Sequence, residues 1–196
     1  MNKAAIGLLG GSFNPPHQGH RALVQHAMRR LSLGGMRVLV TPQNPLKDAN
    51  AYRPLAERLT ATQQILSGLP QIRVEPEAKT GPVFAVDSLR AIVRASPGQR
   101  FVYVMGADSF AHLHRWHRWR DIMEMLPIAV VSRPGYRLSA LQSYAARAFA
   151  RHRVPDSAVR ALGLCTAPAW GWVGGLQRPE SSTEIRALEN LSPSGL

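Results

Sequence analysis

Five short apolar runs alternate with segments of helical character, and this alternation constrains the fold more than any other feature of the chain. The runs are AIGLL (5–9), MRVLVT (36–41), IRVEP (72–76), RFVYVMG (100–106) and IAVVS (128–132). Between them lie His20 to Leu33, Pro54 to Leu69, Val86 to Ala95 and Trp119 to Leu126. Strands that alternate with helices are joined by right-handed crossovers, which lay the strands parallel and cover both faces of the sheet. The pattern predicts an α/β fold, a doubly wound parallel sheet. The first and fourth runs are almost wholly apolar and predict central strands buried on both sides. Ligands in such sheets bind beyond the carboxyl ends of the strands, so the ends at Gly10 and Gly106 are expected to border the crevice.

With 196 residues, 45% of them hydrophobic, the chain has material for one domain with a full core. After SRPGY the pattern turns helical over Ser139 to His152 and Asp156 to Leu164, then passes through the aromatic, glycine-rich PAWGWVGGL to RPESSTEIRALENL. One domain over 1–196 is therefore expected, its 139–190 part mostly helical. No apolar run approaches the roughly 20 residues that cross a bilayer, and MNKAAIGLLGG is broken too early for a secretory signal. A cytoplasmic protein without membrane contact is expected. Cys165 is the single cysteine, which excludes an internal disulfide, a redox pair and a thiolate zinc site.

The formal charge of +12, from 24 Lys and Arg against 12 Asp and Glu, favours a phosphate-bearing partner. Nucleic acid is not expected as that partner. The basic residues are spread along the chain, and no zinc-finger, basic-zipper or RNA-recognition signature accompanies them.

The junction GGSFNPPHQGH (10–20) is the best candidate for a phosphate site. Gly10 and Gly11 let backbone approach a ligand, and Pro15 and Pro16 set a turn that leads into a helix. His17 and His20, three apart, would share one face of its first turn, where unpaired N–H groups and the helix dipole attract an anion. The spacing fits neither a P-loop nor the dinucleotide glycine fingerprint. Two surface histidines fit it equally well, whereas a zinc pair lacks a neighbouring carboxylate or thiolate.

GSFNPPHQGH resembles the signature of the HxGH nucleotidylyltransferases, and SSTEIR (181–186) resembles their second signature, (I/V)SSTxIR, in the same order. Glu180 stands where that signature has an aliphatic residue. Within the superfamily, GSFNPPH, PQNPLK, MGADSFAHLHRWHRW and SRPGY are similar to the bacterial nicotinate-nucleotide adenylyltransferases, over about Ala4 to Leu188. The resemblance implies a Rossmann-like nucleotidylyltransferase fold with a helical C-terminal part. It also implies adenylyl transfer from ATP to nicotinate mononucleotide, giving deamido-NAD and pyrophosphate, a step of NAD biosynthesis. Mg²⁺ would be carried by ATP and pyrophosphate rather than by a protein cage.

By the same resemblance, His17 and His20 contact the ATP phosphates and, with Arg186, form the catalytic set. Gly10, Gly11, Ser12 and Phe13 close over the nucleotide. Ser181, Ser182 and Thr183 hold the β- and γ-phosphates at a helix N-terminus, and Gly106 and Asp108 lie beside the ribose. For the mononucleotide, Trp116 would stack on the pyridine ring, Lys47 would face the phosphates, Arg133 would take the mononucleotide phosphate, and Ala85 would stand at the nicotinate carboxylate. FAVDSL departs from the related YTxDTL at Ala85 and Ser88, which leaves only backbone donors at position 85.

Other roles remain open for several of these residues. Ser181 and Glu184 have capping-box spacing, Asp108 suits a helix N-cap, and Lys47 and Arg133 suit solvated loop charges. Trp119 is expected in the core. His112, His114 and His117 are expected on a surface loop, and His26 on the exposed face of the first helix, because no acidic or thiol ligand is interleaved with them.

Overall fold

A computed structural model describes residues 4–42, 52–77 and 84–191. Strands β1 (Ile6–Gly11), β2 (Gly35–Val40), β3 (Ile72–Pro76), β4 (Phe101–Gly106) and β5 (Ile128–Val131) coincide with the five apolar runs. Helices α1 (Gln18–Arg30), α2 (Leu55–Ile65), α3 (Ala85–Arg94) and α5 (Trp119–Met125) fill the expected gaps, with a short α4 (Ala107–Ala111) directly after β4. Then come α6 (Arg137–Leu141), α7 (Tyr144–Ala148), β6 (Arg153–Val154), β7 (Trp170–Val173) and α8 (Ser182–Leu191).

The described strands form one sheet in the order β3-β2-β1-β4-β5-β7-β6, and every pairing is parallel. β1 and β4 lie side by side at the centre, where the winding reverses, so their carboxyl ends open the crevice. The period of two along each strand divides the core between the faces. Leu8, Tyr103 and Val130 pack against α3, α5 and α7, while Leu9, Val104 and Val131 pack against α1. Among the described residues no helix is long and apolar enough to cross a membrane.

The 139–190 part differs from the expectation. It holds α6, α7 and a 3₁₀ helix over Asp156–Leu164, but it also adds β6 and β7 to the sheet edge. In WGWV the two tryptophans point to one face and Gly171 and Val173 to the other, an alternation concealed by the flanking glycines and prolines. Trp170 donates its ring N–H to the Phe149 carbonyl at 2.8 Å, which ties β7 to the end of α7. His26 also departs from the exposed position expected. Its Nε2 lies 2.8 Å from the Gly174 carbonyl, so it joins α1 to the chain leaving β7.

One buried cation holds the crevice loops. Arg58, 1% exposed on α2, donates to four carbonyls: Arg53 at 2.8 Å, Ser12 at 2.6 Å, Thr41 at 2.8 Å and Pro42 at 2.6 Å. The chain leaving β1 and the chain leaving β2 are thereby joined to one guanidinium, which presents its donors in a planar fork that an ammonium lacks. Removing it leaves those carbonyls buried and unpaired. Arg58→Ala is expected to cost about 3 kcal/mol or more of unfolding free energy, and Arg58→Lys to recover less than half of it. Urea unfolding measures both, and a loss under about 1 kcal/mol would mean that water replaces the guanidinium.

Candidate active site

The loop from β1 to α1 is shaped by a few fixed points. Phe13 is 1% exposed and has left-handed backbone at φ 46°, and the buried Asn14 accepts the Arg53 N–H through its side chain at 3.1 Å. His17 then caps α1 with extended backbone, φ −146° and ψ 170°. Its N–H donates to Nδ1 of His20 at 3.1 Å. An imidazole nitrogen that accepts a backbone N–H carries no proton, so neutral His20 bears its proton on Nε2. The two rings lie 3.9 Å apart, and the Phe13 ring lies 4.8 Å from that of His20. A Cβ on Gly19 would fall 2.9 Å from the His17 ring, so glycine directly before His20 leaves the space that this packing takes.

Burial pushes His20 down to about 3, and the neighbouring His17 and Arg133 push the same way. His17 is also lowered, by burial and then by Arg133, with Glu180 and Asp108 acting against them. Both imidazoles are therefore neutral near pH 7. They do not form the pair on one helix face that their spacing suggests, because one caps the helix and the other accepts the N–H of that cap.

A cavity of about 230 Å³ opens at the carboxyl ends of β1 and β4. It is lined by Gly10, Gly11, Ser12 and Phe13, by His17 and His20, by Gly106 and Asp108, by Arg133, and by Ser181, Ser182 and Thr183. Residues about 160 positions apart thus face one space. Arg133 connects its sides, donating to Asp108 Oδ2 at 2.7 Å and to the Glu180 carbonyl at 2.6 Å. Asp108 is not the cap of α4, since Gly106 holds that position. A Cβ at Gly106 would lie 2.4 Å from Asp108 Oδ1, so glycine there makes room for the carboxylate.

The C-terminal signature is locked to the first one. Ser182 Oγ donates to the Pro15 carbonyl at 2.9 Å, and Arg186 donates to the Asn14 carbonyl and, at 3.3 Å, to Thr183 Oγ1. Ser181 Oγ accepts the Thr183 N–H at 3.2 Å and so caps α8. Arg186 is directed at backbone beside the cavity and does not line it, and the Ser182 hydroxyl is already engaged. What these two residues set is the position of the loop.

The residues expected at the mononucleotide are dispersed. Ala85 opens α3 behind Phe84, whose side chain has no polar atom to cap the helix, and both Ala85 and the half-buried Trp116 pack against the core on the α3 face. Neither lines the cavity. Lys47 lies outside the described residues. Trp119 is buried as expected, with Arg120 stacked 4.5 Å from its ring. His112 and His117 are exposed, the latter 4.4 Å from the Phe84 ring, while His114 is half-buried 6.0 Å from Tyr144. Among the described residues no cluster of three or more His, Cys, Asp or Glu side chains is placed to hold a metal.

Two groups escaped sequence reasoning. Arg178 and Glu180 line the cavity and pair with each other at 3.0 Å; their place directly before SST was the available signal. Glu77 follows β3 and accepts the Thr41 hydroxyl at 2.5 Å, and burial raises its carboxyl despite that bond. Nothing in its local sequence marks it.

A doubly wound sheet with a donor-rich cavity at its switch point defines a nucleotide-binding α/β protein. A family model described as cytidylyltransferase-like matches residues 8–188. A protein of Caulobacter sp. (strain K31), named "Probable nicotinate-nucleotide adenylyltransferase", is 45% identical over 184 residues, 94% of this chain and 97% of its own. One of the same name from Ruegeria sp. (strain TM1040) is 42% identical over 182 residues, 92% of this chain and 95% of its own. Among solved structures, Plasmodium falciparum nicotinic acid mononucleotide adenylyltransferase complexed with NaAD superposes with a TM-score of 0.68 at 14% identity, covering 94% of this chain and 83% of that one; it speaks to the fold alone. The chain belongs to the cytidylyltransferase-like family, within it to the nicotinate-nucleotide adenylyltransferases.

The neutral state of His20 has a consequence for stability. Its folded value lies below that of the unfolded chain, so between the two the unfolded state binds the proton and the folded state does not. Stability is therefore lost as pH falls through roughly 6.5 toward 3. Between pH 7 and pH 5 this loss reaches up to about 2 kcal/mol, and it should vanish from His20→Asn. Unfolding of both proteins across that range checks it; parallel pH profiles would mean that His20 takes up its proton in the folded protein as readily as in the unfolded chain.

Proposed function

We propose that the cavity between β1, β4 and α8 is where this adenylyltransferase joins ATP to nicotinate mononucleotide. The observation that carries the reading is the convergence of His17, His20, Arg133 and the N-terminus of α8 on one space. Unprotonated Nδ1 on His20 turns its Nε2–H into a donor, and Arg133 and the first amides of α8 supply further donors for phosphoryl oxygens.

In the reaction, an oxygen of the mononucleotide 5′-phosphate attacks the α-phosphorus of ATP. A new P–O bond forms, the bond between the α-phosphorus and its bridging oxygen breaks, and pyrophosphate leaves with that electron pair. The nucleophile is already an anion, so no base has to remove a proton. Catalysis rests on in-line positioning and on donors placed where charge builds. His17 and His20 face the phosphates; Ser181, Thr183 and the amide of Ser182 hold the β- and γ-phosphates, and Arg186 holds the loop that carries them. Gly10 to Phe13 close over the nucleotide, and Asp108 accepts from the ribose once Arg133 yields it.

Mg²⁺ fits as a companion of the phosphates, because Glu180 Oε2 is a buried oxygen without a partner at the cavity edge. When bound it neutralises charge on the phosphoryl oxygens. On the α3 face, Trp116 stacks on the pyridine and the amides at Ala85 receive its carboxylate; Arg133, in the cavity, and Lys47, by the family resemblance, attend the mononucleotide phosphate. The whole chain acts as one domain, in the cytoplasm, with these two small molecules as its partners.

The decisive experiment is a product assay with ATP and either nicotinate or nicotinamide mononucleotide. Deamido-NAD and pyrophosphate formed together from the acid support the reading; no product from it overturns the reading. His17→Ala and His20→Ala are each expected to lower kcat about 10²-fold with the fold intact, the scale of one lost oxyanion donor. Near-normal turnover in both would remove the histidines from the site. Trp116→Ala is expected to raise KM for the mononucleotide about tenfold while that for ATP stays put. Equal changes in both constants would indicate a collapsed loop instead.

A further inference from the structure

Glu180 is out of place in a cavity suited to a polyanion. Apart from Asp108, whose charge Arg133 balances, the other groups around it donate: Arg133, His20 through Nε2, and the amides that open α8. Glu180 brings a carboxylate to the same wall, directly before the serines. One oxygen, Oε1, is paired with Arg178 at 3.0 Å, and its main-chain carbonyl accepts from Arg133 at 2.6 Å. The second, Oε2, is buried and has no hydrogen-bond partner. An orphan carboxylate oxygen is costly to keep. In a ligand cavity its partner is expected to arrive with the ligand.

A phosphate oxygen cannot be that partner, since both groups accept. A hydroxyl or a cation can. In the reading above the ribose hydroxyls lie with Asp108 at the end of β4, whereas Glu180 adjoins Ser181 to Thr183, at the β- and γ-phosphates. What accompanies those phosphates is a divalent cation. The charged groups that share the space are Asp108, Arg133 and Arg178, beside the neutral His17, whose ring the negative charge of Glu180 also reaches.

We propose that Glu180 makes the site selective for the cation-complexed triphosphate: its carboxylate repels bare ATP and is compensated when the nucleotide brings a divalent cation. The inference rests on the cavity being the ATP site proposed above. A unit charge a few ångströms from the phosphates, partly screened, changes the affinity of the uncomplexed anion by about tenfold or more. The cation-complexed form, with less net charge and a ligand for Oε2, is not penalised.

The test is calorimetric ATP binding by the full chain, in excess EDTA and in saturating Mg²⁺, for the parent protein, Glu180→Gln and Glu180→Val. Thermal unfolding of each protein reports that the fold is kept. Mg²⁺ should strengthen binding by the parent, and that enhancement should shrink about tenfold in both variants, chiefly because metal-free ATP binds more tightly to them. An unchanged enhancement overturns the inference. So does tighter binding by equal factors in both arms, which would be plain repulsion without selectivity. Failure of the parent to bind ATP in either arm would instead overturn the adenylyl-transfer reading, and this inference with it.

Discussion

A guanidinium buried among carbonyls is the constraint on which the crevice depends. β1 and β2 end side by side, and the chain leaving each must turn away from the sheet, directing Ser12, Thr41 and Pro42 carbonyls inward where no ladder can receive them. Arg58 receives all three and adds the Arg53 carbonyl just before its own helix. Its charge has no carboxylate partner among these bonds; carbonyl dipoles replace one. Because the same group binds the ends of two strands and the start of α2, the loop that bears Phe13 and Asn14 is fixed before any nucleotide arrives.

The second signature completes that loop from the far end of the chain. Ser182 and Arg186 bind the Pro15 and Asn14 carbonyls, and Arg133 binds the Glu180 carbonyl. The two motifs are thus parts of one object. Each of these side chains acts on backbone, which is why a motif with such obvious phosphate chemistry spends half of its polar groups on position. Preorganisation of this kind suits a reaction in which the protein moves no proton and has only geometry and charge to offer.

How much of this was legible in the sequence depends on the range of the signal. The five apolar runs located β1 to β5 within two residues at either end, since parallel strands buried on both faces are written as continuous apolar sequence. β7 escaped because WGWV is short and flanked by glycine and proline, and β6 because two residues carry no period at all. Twelve of the expected site residues came together, nine of them from two local motifs that report where strand and helix meet and three, Gly106, Asp108 and Arg133, from the ends of β4 and β5. Arg58 stayed hidden for the opposite reason. Its partners are backbone carbonyls, which have no letter in the sequence, and an arginine on a helix otherwise reads as surface. His26 was misjudged on the same ground, its partner being the Gly174 carbonyl.

The electrostatics of the cavity also could not be read from residue types, and they alter the account of the histidines. Spacing alone suggested two imidazoles that donate to an anion drawn by the helix N-terminus, and it left their protonation open. In the structure, the ring of His20 is buried beside His17 and Arg133, and an empty cavity holding three cations there would be strongly self-repelling. Neutral rings avoid that repulsion while the bond from the His17 N–H keeps one proton aimed outward on Nε2. The lasting positive charge is left to Arg133 and Arg178, and each is balanced, by Asp108 at 2.7 Å and by Glu180 at 3.0 Å. The site at rest is therefore nearly neutral and rich in oriented donors. In the proposed reaction such donors respond to the charge that develops on the phosphoryl oxygens without having bound the free anions tightly beforehand. Catalysis needs that difference between transition state and ground state, and in the proposed reaction the buried His20 enters as a neutral donor, not as a standing charge.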